Sequence, residues 1–266
     1  MPPTTSRPRP VLWYSVAAVV IVVVAVIAAT GVVGWLTAQH SSESRAYRDA
    51  RINVVEVNAT SASVTIHPGP AGQATVTQKL RWSTARPAVD QRLDTATGTL
   101  TITALCGGIQ VFGLSDCEAR VDIQVPVGAS VQVFNDSGAT DVFAMGAAVD
   151  VRSDSGAVTL SRLTGPVQAS TTSGSISGDA MLSPTVSAAA TAGSIDLAFA
   201  GPPRSVTVKA TAGSVDVTVP RGDRYRVSVM SNDNSAVSVD DGLASPTAQN
   251  SITGSTVAGA LSINYG

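Results

Sequence analysis

From Val131 onward one pattern recurs every 18 to 20 residues. Its copies are VQVFNDSGAT (131–140), VDVRSDSGAV (149–158), VQASTTSGSI (167–176), VSAAATAGSI (186–195) and VTVKATAGSV (206–215). Each carries one glycine at the same place: Gly138, Gly156, Gly174, Gly193 and Gly213. A unit of this length is too small to bury its own apolar residues. It must lay them against the next copy, so the period predicts a stack of similar units.

The apolar positions define the unit's shape. Val131 and Val133, with Asn135 in the same phase, alternate with Gln132 and Phe134, as in a strand with one buried face. After the glycine, Val158 and Leu160 alternate with Thr159, and Ile195 and Leu197 with Asp196. The inward set falls 7 and 5 residues before the glycine and 2 and 4 after it. A continuous strand would keep its parity, so the chain bends at the glycine. Pro126, Pro166, Pro184, Pro203 and Pro220 each precede a unit and mark a second corner, because proline lacks a ladder donor.

The template extends outward from these copies. VEVNATSASVTI (55–66) fits with Ala62 in the glycine place, and VSVMSNDNSAVSV (227–239) fits with one added residue and Asn234 there. Gly98 in TATGTLTI fits weakly. Residues 74–121 are less regular and are expected to cap one end. The expected fold is all-β, a β-solenoid of 18–20-residue repeats preceded by one transmembrane α-helix. A flattened two-sheet stack and a three-sided helix both satisfy the pattern. An aromatic content of 4% agrees with a core too thin for large rings.

Residues 11–36 carry no charge. At about 1.5 Å per residue they would reach roughly 39 Å as a helix, more than a hydrocarbon core of about 30 Å. A signal peptide has a shorter apolar core and a cleavage site of small residues. Arg7 and Arg9 precede the run. The positive-inside rule then predicts a cytoplasmic N-terminus at 1–10, a membrane span at 11–36, a polar tether at 37–51 and an extracytoplasmic domain at 52–266. The expected location is the plasma membrane, crossed once, with the membrane as a partner.

Beyond the run there remain 15 of the 17 Lys+Arg, against all 19 Asp+Glu, a net charge of −4. This leaves no electrostatic footprint for nucleic acid. Cys106 and Cys117 are the two cysteines, and an even pair outside the cytoplasm reads as one disulfide. Their spacing suits neither a redox CxxC nor a zinc site.

The apolar N-terminal segment, the cysteine pair followed by VDIQVPVG (121–128), and Ser137-Gly138, Ser155-Gly156 and Ser173-Gly174 occur together. In this combination the chain resembles the bacterial putative-adhesin family, β-repeat domains related to autotransporter adhesin heads. The resemblance covers most of residues 52–266. It implies a β-helical fold and a cell-surface role, and no catalytic residues.

The residues themselves point away from catalysis. His67 is the one histidine beyond His40, which leaves no material for a histidine triad. No phosphate loop or dinucleotide fingerprint occurs. Asp136 and Asp154 share a place in adjacent units, where two carboxylates about 4.8 Å apart could share a proton or a cation; a corner Asp bonding its own turn is the structural alternative. Asp141, Thr159, Ser177, Asp196 and Asp216 form an outward ladder. Arg221-Gly222-Asp223 matches an integrin tripeptide but stands at a recurring corner, and Asn58-Ala-Thr60 matches a glycosylation acceptor. The expected function is a non-enzymatic surface module for adhesion or envelope scaffolding, without cofactor or metal, binding wall glycan or another envelope protein. An extracytoplasmic sensor of envelope stress is the second reading. A polysaccharide-active β-helix enzyme is the third and would need charged residues converging across neighbouring units.

Overall fold

The computed structural model describes residues 19–22, 39–48, 51–83, 86–106, 117–232 and 236–266. Apart from the helical residues 19–22, they form an all-β structure. Its centre is five long parallel strands, each spanning one copy of the repeat: β10 (Val149–Ser161), β11 (Val167–Met181), β12 (Thr185–Phe199), β13 (Ser205–Val219) and β16 (Asn250–Tyr265). Their pairing is in register, valine on valine and glycine on glycine. Burial changes parity at the glycine. In β10 the buried residues are Val149, Val151 and Ser153, then Val158 and Leu160. The two halves therefore form two wings joined at a corner.

Shorter strands continue each wing separately. β8 (Ser130–Ser137) and β9 (Thr140–Phe143) pair with the two halves of β10. Next come β2 (Val54–Thr60) and β3 (Ala62–Gly69), then β6 (Thr99–Leu105) and β7 (Cys117–Pro126), all parallel. The end is closed by antiparallel strands. β5 (Ala88–Asp94) lies on β6, β4 (Gln73–Trp82) on β7, and β1 (Gln39–Arg48) on β4. At the opposite end, β14 (Tyr225–Ser231) and β15 (Ala236–Val239) pair with the two halves of β16. The strand order is an open path, not a closed sheet.

Spatial order departs from chain order at both ends. The pair β2/β3 precedes β4 to β7 in the chain but lies between β6/β7 and β8/β9. β16 comes last and lies between β13 and β14. Its sequence, ITGSTVAGALSI (252–263), is a further copy of the repeat with Gly259 in the glycine column. Gly254 in a valine place and Leu261 in place of a β-branched residue obscure it in the sequence.

The glycine corner is a close-packed backbone column. A Cβ on Gly156, Gly174, Gly193, Gly213 or Gly259 would meet the carbonyl oxygen of the glycine one layer away, and on Gly138 that of Ala62. Ala62 ends the column, and there the left-handed backbone moves to Ser61 (φ 56°). At the second corner the left-handed residue differs between layers: Ala144, Arg162 and Ala180 have φ of 51°, 53° and 48°, whereas Gly128 and Gly222 have 92° and 105°.

The core is a set of vertical columns of Val, Ile, Leu and Ala, almost all fully buried. One inward column beside the corner is polar. Asn135, Ser153, Thr171 and Thr256 occupy it, with Ala190 and Ala210 between. The Asn135 amide donates to the Ala62 carbonyl (3.0 Å) and to Thr140 Oγ1 (3.2 Å).

Three expectations require correction. Residues 39–48, expected within a polar tether, are strand β1, paired along its whole length with β4. Its polar side chains suit an edge strand, whose outer face needs no apolar residues. Gly98 does not lie in the corner column. It has φ of 71° in the hairpin between β5 and β6 and donates to the Asp94 carbonyl at 2.9 Å. The single-pass plasma-membrane location, with its cytoplasmic N-terminus, is overturned: no helix among the described residues is long and apolar enough to cross a membrane. Residues 19–22 are the described helical part of the apolar run. The remainder of 11–36 lies outside the described residues.

Candidate functional site: a polar ladder along one wing

In each unit the third residue after the glycine faces outward on the second wing. The register carries this place through eleven strands: Ser44, Thr77, Asp122, Thr65, Asp141, Thr159, Ser177, Asp196, Asp216, Ser262 and Ser238. Every member is a hydroxyl or a carboxylate, and all are at least partly solvent-exposed. With about 4.8 Å between strands, the ladder extends for about 48 Å. Asp141, Thr159, Ser177, Asp196 and Asp216 are legible from the sequence repeat. The outer members belong to strands whose place in the stack the sequence does not reveal.

Neighbours hold several of these groups in place. Ser262 donates its hydroxyl to Asp216 Oδ2 at 2.6 Å, and the Asn264 amide reaches Asp216 Oδ1 at 3.4 Å. Ser44 and Thr77 share a hydrogen bond of 3.0 Å. His67 Nε2 lies 3.1 Å from Asp122 Oδ1. Asp196 and Asp216 are direct neighbours; elsewhere a hydroxyl separates successive carboxylates. This spacing limits repulsion and presents alternating donors and acceptors. Among the described residues no group of three His, Cys, Asp or Glu is placed to hold a metal ion.

The other wing carries a different outward surface. The Phe134 ring lies under the Arg152 guanidinium, 5.4 Å from its centroid, and Arg152 Nη2 donates to Asp150 Oδ2 at 3.0 Å. This fixes one aromatic platform on an otherwise Ser-, Thr- and Gln-rich face.

The remaining candidates have local explanations. Asp136 accepts from Thr60 Oγ1 at 3.3 Å, and Asp154 from Thr172 Oγ1 at 3.4 Å, so each carboxylate is engaged by a hydroxyl one layer away. Arg221, Gly222 and Asp223 form the turn after β13. Arg221 Nε donates to the Gly266 carbonyl at 3.2 Å, and the Tyr265 hydroxyl to the Asp223 carbonyl at 2.8 Å. Asn58 donates its amide to Glu56 at 2.8 Å within β2. Cys106 and Cys117 are disulfide-bonded. Leu105 pairs with Thr60 and Ala119 with Ala62, so the bridge closes an insertion at the corner column, where the neighbouring layer has the single residue Ser61.

No family model matches the chain, and no curated protein matches it. Several solved structures are similar. A putative adhesin from Bacteroides fragilis is 12% identical with a TM-score of 0.47, covering 85% of this chain and 97% of that one. A putative adhesin from Parabacteroides distasonis is 11% identical with a TM-score of 0.39, covering 85% and 97%. A putative cell adhesion protein from Clostridium sporogenes is 10% identical with a TM-score of 0.38, covering 86% and 100%.

Proposed function

We propose that this chain is a non-enzymatic binding module, wound as a β-solenoid, that presents its polar ladder to a hydroxyl-rich polymer such as a wall glycan. Its role is adhesion or envelope scaffolding. The ladder of Ser, Thr and Asp over eleven strands carries the reading. Repeated weak hydrogen bonds at regular spacing suit a periodic ligand better than a small molecule, since many contacts of about 0.5–1.5 kcal/mol each then add along one chain. The Cys106–Cys117 disulfide supports work in an oxidising compartment.

The test is co-sedimentation of the full chain with purified bacterial wall polysaccharide. Lysine at Ser177 and Asp196 together should weaken binding about tenfold, the equivalent of losing about 1.4 kcal/mol. Lysine at Ser187 and Thr207, outward on the other wing, should leave it unchanged. Equal loss from both pairs, or no binding by the unaltered chain, would overturn the proposal.

A further inference from the structure

At the β1/β5 end an inward column is interrupted. The inward residues of β4 include Ala74, Val76, Gln78 and Leu80, and Gln78 is the polar member, only 6% exposed. Its amide donates to Glu43 Oε2 at 2.9 Å across the β1–β4 pair, while its own Oε1 is buried without a hydrogen-bond partner. A leucine there would continue the apolar column and leave nothing unsatisfied, so the half-bonded carboxamide costs stability. What it provides is a fixed position for the Glu43 carboxylate.

Glu43 and Gln78 line an open cleft of about 350 Å³ between the two wings. β5, on the other wing, supplies Asp90, and the residues leading into β5 supply Arg86. Leu80, Pro87 and Val89 make the rest of the wall largely apolar. Nearby, the Tyr47 hydroxyl donates to Gln91 at 3.1 Å and ties the wings together. The charges in the cleft do not neutralise one another. Arg86 stacks on the Trp82 ring, 5.4 Å from its centroid, and pairs with neither carboxylate. A guanidinium laid over an aromatic face keeps its N–H edge free for a carboxylate. Among the described residues Asp90 has no hydrogen-bond or ion-pair partner, and Glu43 has Gln78 alone.

We propose that this cleft binds a free amino acid with an apolar side chain. The Glu43 and Asp90 carboxylates take its ammonium group, Arg86 takes its carboxylate, and the apolar wall takes its side chain. Unpaired charges of both signs in one cleft match a zwitterion. A simple cation would leave Arg86 unmatched, and a simple anion would leave both carboxylates so. The volume lies at the lower end of the range for small-molecule sites, roughly 300–1,000 Å³, and suits a single amino acid better than a polymer. The site is therefore separate from the polar ladder. Gln78 is a positioning residue, acting through Glu43.

Isothermal titration calorimetry on the full chain, with L-leucine as the probe, tests this. Saturable binding is expected with a Kd of about 1 mM, in keeping with a ligand of so few atoms. N-acetyl-L-leucine, which lacks the ammonium, and L-leucinamide, which lacks the carboxylate, should each bind about tenfold more weakly. Asp90→Asn, a change at an exposed side chain, should weaken L-leucine binding about tenfold. Gln78→Leu should weaken it similarly while the urea midpoint stays level or rises. A purely structural Gln78 would instead lower the midpoint and leave binding intact. No saturable binding by the unaltered chain, equal binding of either analogue, or L-leucine binding untouched by Asp90→Asn and Gln78→Leu would overturn the proposal.

Discussion

The glycine column makes a prediction that separates two reasons for needing glycine. At Gly193 both apply: φ is 147°, and a Cβ would overlap the Gly174 carbonyl oxygen, with the carbonyl carbon at 2.8 Å and the Gly174 nitrogen at 3.2 Å. At Gly174 the close approach stands alone. Its φ lies outside the left-handed region, but its Cβ would fall on the Gly156 carbonyl oxygen, with the Gly156 nitrogen at 3.0 Å. At Gly222 the conformation stands alone: φ is 105° and nothing lies within 4 Å of a Cβ. Alanine at Gly222 should cost about 1–2 kcal/mol, the penalty of a left-handed backbone. Alanine at Gly174 must push two paired strands apart. That loses about two ladder hydrogen bonds near 1 kcal/mol each and leaves their groups partly unsatisfied, for a total of about 3–4 kcal/mol. Gly193→Ala adds the conformational penalty and should cost about 4–6 kcal/mol, in the rare and diagnostic range. The assay is urea unfolding followed by circular dichroism on all three variants. If Gly174→Ala costs no more than Gly222→Ala, the steric account of the corner is wrong.

Two further outcomes follow from local chemistry. Tyr225 is fully buried, its hydroxyl has no hydrogen-bond partner, and burial, helped by Asp223 and Tyr265, pushes its pKa up to about 12. Since the folded pKa lies above the ordinary 10.0, its contribution is complete below pH 10 and is lost as the pH rises through about 12. Tyr225→Phe should stabilise by about 1 kcal/mol at neutral pH, because it removes an unsatisfied hydroxyl, and should flatten the alkaline loss; destabilisation in an unfolding titration would refute this. Reducing the Cys106–Cys117 bridge should lower stability by about 3 kcal/mol, the chain-entropy value for so short a loop, with hydrogen exchange rising first in β6 and β7; an unchanged melting temperature with reductant would count against it.

The repeat was legible because it is local. The phase of the valines says which side chains face inward, and the parity change says where the chain bends. Asp141 through Asp216 could therefore be aligned as one outward ladder before any fold was known. The glycines were legible as corners, but not as a column in which each excludes a Cβ through its neighbour's carbonyl. That contact exists only once two layers are stacked. The copy at 252–263 is hidden in the sequence because Gly254 and Leu261 blur the pattern, and its Gly259 is identified by pairing with Gly213. Residues 39–48 read as a tether because an edge strand with polar side chains has no apolar period to betray it.

The amino-acid sequence alone determined the unit: its length, its two bends, its inward and outward faces, and the two cysteines that form the one disulfide. Only the tertiary structure decided the order in which units stack. Parallel in-register ladders offer similar backbone bonds and valine columns to several neighbours, so a layer's own residues do not name the layer beside it. The chain inserts β2/β3 and β16 out of order, and this sets the two ends apart. One is braced by charged antiparallel strands, and at the other the last valines are half-buried, with Val237 42% exposed.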